Sequence, residues 1–543
     1  FLNELFSTQN NSLKKFYILL FFLLYFQLHS MEAVEEQSVK YNSSSQQSSI
    51  EISQNEKGDN NLAISDNKPS ENLKEEYIRL GSKTPLKTIL YLSVGPLISH
   101  VTNAVYGIVN TIWVARACGD DGLASISTYN NFDTIRRAFA LFLQVAASAK
   151  FASLFGQQTI DNQLFSDLLR LALFCGIITP VIFIPLTRPT ARWFGASKHI
   201  EDEGFDYIFP LLMSTIVPCF YLLLCGCLQA EGRAWTFCIV QVSSMILNML
   251  VFAPFFLLLC KTGIAGVSYA TICSEFIPAL IIFVLYYRGK SFTIKPNLKD
   301  LFKRFSKNFL STVSIGISQL LYQLSLALPG FLIRKYFGLA CEGDDTKWGN
   351  VMSGFNVSCR YYILMLSVTS ALTIGFIPSG SYAFSSERYN RFLRLLFITL
   401  LMSVGWSGFT MIFTIGFPRL LTKAFSSSEG VLEWGSLILS RTEYMAFAVP
   451  VCVVAGSMLQ AMQMGKLATL LNCLAQLIPL PLFSTIMFFT GKREDVARFI
   501  YCYPIYDSFS CVVSIPFYAF TLIPIVKKAK NEKINSEGLR IHE

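Results

Sequence analysis

Asp133, Arg136 and Arg137 stand together in a stretch that is otherwise apolar, and three further carboxylates, Glu275, Glu443 and Asp507, interrupt apolar runs elsewhere. A charge in hydrocarbon costs about 2.5–3.5 kcal/mol on insertion scales, so each needs a partner, a wet cavity or a snorkelling route. Asp133 and Arg137 are spaced i,i+4 with Arg136 at i+3, which puts them on one helix face. That group serves either as local charge neutralisation or as a basic site facing a cavity. Glu275, Glu443 and Asp507 are the carboxylates deep enough to bind and release an ion, because desolvation brings a buried carboxyl toward proton exchange near neutral pH. A rim salt bridge is the alternative for Glu443, which follows Arg441. His100, one turn after Pro96, is a hydrogen-bonded packing residue or a proton relay.

The elements that must hold these groups are membrane helices. Only 15% of the 543 residues are charged and 52% are apolar, with a mean hydropathy of +0.45; a soluble chain carries about a quarter charged residues. Apolar runs near 86–113, 123–149, 164–187, 205–230, 235–260 and 264–288 precede a second set near 308–337, 350–379, 391–417, 435–464, 466–491 and 498–526. Each can cross a hydrocarbon core of ~30 Å, and backbone polar groups in lipid demand helices. The predicted fold is therefore an all-α polytopic membrane protein, twelve transmembrane helices in two pseudo-symmetric six-helix bundles at 81–288 and 308–526.

The +9 net charge gathers in loops rather than on a nucleic-acid face. The connector 289–307 and its flank hold Arg288, Lys290, Lys295, Lys299, Lys303, Arg304 and Lys307 against Asp300, and the tail 527–543 adds Lys527, Lys528, Lys530 and Lys533. Loops on the other side are acidic, as at Glu201–Asp202–Glu203. The positive-inside rule puts both termini and the connector in the cytoplasm. Residues 31–80, rich in Ser, Asn, Gln and Glu, read as a disordered cytoplasmic tail. Within residues 1–30, Lys14-Lys15 and the short apolar run 16–28 resemble a signal-peptide core. We read that stretch as a gene-model extension ahead of a start at Met31, or as a signal-like segment.

The two bundles repeat each other. Asn131-Phe132-Asp133 through Arg137 and Leu141 matches Gly354-Phe355-Asn356 through Arg360 and Leu364 at an offset of 223, and Cys118 matches Cys341 at the same offset. Leu228-Gln229-Ala230 matches Leu459-Gln460-Ala461 at an offset of 231. An even number of spans per half makes a parallel repeat about an axis along the membrane normal, a plan suited to alternating access. The fourteen cysteines are scattered through apolar runs without zinc-ligand spacing, so they read as small buried residues and no metal is expected.

Gly95-Pro96, Ile108-Val109-Asn110-Thr111-Ile112-Trp113-Val114-Ala115 and Gly119 resemble the opening of the multidrug and toxic compound extrusion (MATE) family, within the wider multidrug/oligosaccharidyl-lipid/polysaccharide flippase superfamily. Asn248, Pro254-Phe255, Gly263 and Gly266 resemble its fifth and sixth spans; Gly380-Ser381-Tyr382-Ala383-Phe384 with Arg388 and Arg391 resembles its exit from span eight; Pro504-Ile505-Tyr506-Asp507 fits span twelve. The resemblance runs over about residues 85–525. It implies a monomeric antiporter that exports small organic solutes against a proton or sodium gradient, with no other cofactor, through a central cavity between the halves.

Two departures from that family stand out. Asn110 occupies the place of a first-span Asp, and residues 308–339 lack the family's seventh-span Glu, carrying Gln319, Tyr322 and Gln323 instead. Candidate cavity residues are Asn110, Arg137, Gln319, Tyr322, Gln323, Asn356 and Arg360; candidate ion-coupling residues are Glu275, Glu443, Asp507 and His100. With Arg137 and Arg360 in a cavity, an anionic or zwitterionic cargo becomes a hypothesis. A lipid or lipid-linked sugar flippase and a non-transporting receptor or scaffold are the alternatives. An enzyme finds no support, since no His/Asp/Ser constellation is present.

Overall fold

The computed structural model describes residues 76–541, apart from 194–197, 289–291, 296–297, 343–344, 426–427 and 492–494. The readings of residues 1–30 and of most of 31–80 lie outside the described residues. Ten helices among the described residues are long and apolar enough to cross a membrane: Thr128–Gly156, Asn162–Trp193, Ala234–Leu259, Ala265–Arg288, Phe309–Ala340, Thr346–Ser385, Tyr389–Gly416, Glu429–Ala461, Gly465–Thr490 and Val496–Glu532. Lys198–Met213 and Ile216–Ala230, bent by 49° against each other, form one more.

Residues upstream of Thr128 are also helical as far as Pro85, 72 residues in all to Gly156. A straight helix of that length would reach ~108 Å. Asn103 and Arg137, which it would hold ~51 Å apart, line one small pocket. The chain therefore doubles back between them, and residues 85–127 hold the first span. Numbered along the chain, spans 1–6 precede the connector 289–307 and spans 7–12 follow it. The final helix continues to Ile541, so the basic stretch read as a tail prolongs span 12.

Spans 1 and 2 meet spans 7 and 8 where the connector-side ends of all four converge. Small residues permit the approach: a Cβ on Gly375 would stand 2.4 Å from Ser93 Oγ, and one on Gly156 would stand 2.6 Å from the Tyr382 carbonyl oxygen. The Ser153 and Ser385 hydroxyls are 2.6 Å apart, and Gln463 Nε2 donates to the Ala149 carbonyl at 2.9 Å. Val145, Ala149, Ile315 and Ile377 pack as an apolar plug just beneath. On the opposite face the halves touch through Lys335, 5.8 Å from the Trp193 ring centre.

Tyr77–Ser82, assigned above mainly to the tail, instead form a short helix on the connector face. Arg391 donates to the carbonyls of Lys83 at 2.7 Å and Leu80 at 2.9 Å, while Arg388 lies 4.8 Å from the Tyr77 ring centre. On its other flank, Arg79 donates to the Glu231 carbonyl at 3.2 Å, and the Thr293 hydroxyl donates to Glu76. Glu231 accepts the backbone N–H groups of Thr293 and Ile294 at 3.1 and 3.2 Å and pairs with Arg233 at 3.0 Å. Burial pushes the Glu76 carboxyl up to about 7; the Thr293 hydrogen bond opposes this and the Glu231 charge adds to it. Burial also raises Glu231, against the pull of Arg233.

Candidate functional site

The charges of span 2 form a neutral cluster in the first half. Arg136, fully buried, donates from Nε to Asp133 at 2.8 Å and lies 3.9 Å from Glu275 of span 6. Arg137 approaches the same two acids, each at 3.4 Å. Two guanidinium groups thus answer two carboxylates, and Arg137 and Glu275 also line a pocket of about 50 Å³ with Tyr106 and Asn248. Asn248 donates to Thr271 and Ser274 at 3.2 and 3.3 Å, which ties span 5 to span 6 beside the cluster.

A larger cavity of about 280 Å³ lies between the halves, lined from spans 1 and 2 on one side and from spans 7, 8, 10 and 11 on the other. It sits immediately above the Val145–Ile377 plug, and both of those residues form part of its floor. Among the described residues its lining contains no Asp, Glu, Lys or Arg; the polar groups are amides, hydroxyls and the His100 imidazole. Gln460 donates to Ser318 at 2.9 Å and to Gln319 at 3.3 Å, and Asn472 donates to the Ser318 carbonyl at 2.6 Å. A cargo there meets hydrogen-bonding groups and apolar walls, and no fixed charge.

In the second half, Asp507 and Glu443 are each about 1% exposed. Their four carboxylate oxygens have no hydrogen-bond partner among the described residues. Glu443 is the charged neighbour that acts on Asp507. Asp507 reaches a small pocket walled by Tyr322, Leu326, Leu366, Val453 and Gln476, and these five residues also line the central cavity.

The candidate residues thus divide among separate places. His100, Gln319, Tyr322 and Gln323 line the central cavity, and Arg137 and Glu275 line the first-half pocket. Asn103 belongs to both linings and joins the two spaces. Asn110 lies a turn beyond Tyr106, half-buried, with Oδ1 unpartnered among the described residues. Asn356 and Arg360 are exposed on span 8 and line neither space. Sequence reading missed Gln144, Asn472 and Gln476 and used Gln460 only as a marker of the repeat. The available signal was an amide inside an apolar span, which has to find a partner or a cavity. It also missed that Glu275 closes onto Arg137. No group of three or more His, Cys, Asp or Glu side chains among the described residues could hold a metal ion.

Comparison with known proteins agrees with this arrangement. The MatE family matches residues 97–253 and 349–484, together more than half of the chain. Multidrug export protein MepA of Staphylococcus aureus is 20% identical over 417 residues, covering 75% of this chain and 89% of that protein. A MOP superfamily transporter from Pyrococcus furiosus superposes with a TM-score of 0.73 at 19% identity, covering 85% of this chain and 99% of that one. An outward-facing multidrug resistance MATE family transporter of the same superfamily gives 0.72 at 19% identity, covering 85% and 100%. Residues of both halves line the central cavity, and the family is matched in both halves: the chain belongs to the MATE family of transporters.

Proposed function

We propose that this transporter exports small organic solutes through the central cavity in exchange for a proton or sodium ion, with Asp507 and Glu443 as the ion-coupling pair. One observation carries the reading: the two buried carboxyl groups lack any partner among the described residues, and the Asp507 pocket shares five wall residues with the cavity. Two bare charges in a dry core are too costly to persist, so the pair holds a proton or a cation. Cargo pressing on Tyr322 and Gln476 would disturb that pocket directly, which links cargo binding to ion release. Glu275 does not offer this, because Arg136 and Arg137 already compensate it.

The uncharged cavity favours cargo held by hydrogen bonds and apolar contact over an anion held by Arg137 or Arg360. The likeness to a multidrug export protein supports organic solutes as cargo. The basic connector supports a cytoplasmic connector face. Closure at Ser153 and Ser385 then corresponds to a state sealed toward the cytoplasm. We place the protein as a monomer in the plasma membrane or an endomembrane such as that of the vacuole.

The test is reconstitution in liposomes carrying an internal pH dye, with an imposed gradient and a panel of organic cations, anions and neutral solutes. Cargo-dependent proton movement should survive Asn110→Ala and vanish in Asp507→Asn and Glu443→Gln. If no solute moves protons, and none moves under a sodium gradient, the coupled-antiport reading fails and a lipid flippase becomes the better account.

A further inference from the structure

The segment just ahead of span 1 joins both halves of the transporter on one face. Arg391 and Arg388 of the second half grip the backbone of residues 80–83, through the Leu80 and Lys83 carbonyls and, at 3.4 Å, the Gly81 carbonyl. The first half and the connector hold the same segment at its other end, through Arg79 on the Glu231 carbonyl and Thr293 on Glu76. The fit is close. A Cβ on Gly81 would stand 2.9 Å from the Tyr77 ring and 3.0 Å from that of Tyr382. One on Gly232, whose φ of +69° already favours glycine, would stand 3.0 Å from Arg79. Leu80 is wholly buried and belongs to the first-half core.

We propose that residues 76–83 are a strap that holds the connector face closed, and that it must leave its seat before that face can open. Alternating access requires the connector-side ends of spans 2 and 8 to part. Those ends meet at Ser153 and Ser385, and Tyr382, against which the strap packs, also faces Gly156. A segment anchored at Thr293 on one side and Arg391 on the other cannot stay seated while the halves separate.

The strap also carries a titratable anchor. Glu76 is about 1% exposed and faces Arg79 on its own element, Glu231 and Arg233 in the turn after span 4, and Thr293 in the connector. The second half brings Tyr382, Arg388 and Arg391 to the same seat. Seated, the carboxyl titrates at about 7 against an ordinary value of 4.5. Because the seated value is the higher one, seating is strongest below about pH 4.5 and weakens as pH rises through about 7. Acid conditions on the connector face therefore favour the closed strap, and alkaline conditions release it.

The experiment uses the full chain in lipid nanodiscs, where both faces are accessible and no cargo is needed, so its failure is independent of the coupling assignment. A Ser153→Cys substitution, at a position about 1% exposed, reports opening through its labelling rate with a water-soluble maleimide, over the background of the unsubstituted chain. Normalised to a fully exposed cysteine at the same pH, which removes the intrinsic thiolate dependence of the reaction, labelling should rise several-fold in Arg391→Ala and on moving from pH 5.5 to 8, and Glu76→Gln should abolish that remaining pH dependence. Hydrogen exchange at residues 77–82 should rise in the same conditions, and thermal unfolding should show that the variants remain folded. Labelling that responds neither to Arg391→Ala nor to pH would overturn the strap; a response to Arg391→Ala without a pH response would overturn the role of Glu76.

Discussion

Glu275 and Asp507 stand 232 residues apart, within one residue of the 231-residue offset between the halves, yet Glu275 lies 3.4 Å from Arg137 and Asp507 has no partner among the described residues. The repeat explains the contrast. Asp133, Arg136 and Arg137 correspond to Asn356, Cys359 and Arg360, so the second half has lost one acid and one of the two guanidinium groups. The remaining Arg360 is exposed on span 8. One half keeps a closed ionic cluster, and the other keeps uncompensated carboxyl groups.

Opposite effects on stability follow. Glu275→Gln leaves a surplus guanidinium in the core and should destabilise the protein by about 3–5 kcal/mol. Asp507→Asn removes an unpartnered buried acid and should leave thermal unfolding in detergent unchanged or raise it. Equal losses from both substitutions would contradict the assignment.

The two repeat-related arginines should also part company. Arg137→Ala breaks contacts to Asp133 and Glu275 and should cost several kcal/mol by the same reasoning. Arg360→Ala, on an exposed position, should stay within about 0.5 kcal/mol and leave transport of neutral solutes unaltered. Loss of transport in the Arg360 variant would place that side chain on the cargo route.

The cavity amides should govern cargo affinity. Gln460 lines the cavity and its Oε1 has no partner among the described residues, which leaves it open to a donor on the cargo. Gln460→Leu removes that acceptor, and a lost cargo hydrogen bond of about 1–1.5 kcal/mol corresponds to roughly a tenfold rise in the cargo concentration needed for half-maximal transport. Equilibrium cargo binding, measured beside flux, distinguishes this from a block of the conformational cycle.

Closure of the connector face can be locked covalently. The 2.6 Å between the Ser153 and Ser385 hydroxyls places a Ser153→Cys/Ser385→Cys pair close enough for a disulfide to form. Oxidation should stop transport and reduction should restore it, while cargo binding from the opposite face persists.

Much of this could be read from residue order, and the limits are physical. Hydropathy marks the spans because hydrocarbon imposes a length and a composition on each, and the Asp133–Arg137 spacing locates the first-half charges. Sequence spacing does not report distances between helices, so the contact of Glu275 with Arg137 and the isolation of Asp507 emerged only from packing. Gln460, Asn472 and Gln476 escaped because a single amide in an apolar run gives no sign of which helix face it occupies. The short helix at Tyr77–Ser82 was hidden by the polar composition of the residues before it. What orders it is Arg391, more than three hundred residues later.

That separation fixes an order of events during synthesis. The residue that grips Leu80 lies 311 positions downstream, and ribosomes add about 5–20 residues per second, so the seat is incomplete for roughly 15–60 s after Leu80 is made. Throughout that interval the nascent first half must sit in the membrane with the segment before it unanchored on its second side. Only when the start of span 9 has emerged can the segment be gripped on its second side, so Arg388 and Arg391 complete its seat while the rest of the second bundle, Glu429–Ala461 onward, is still to be made.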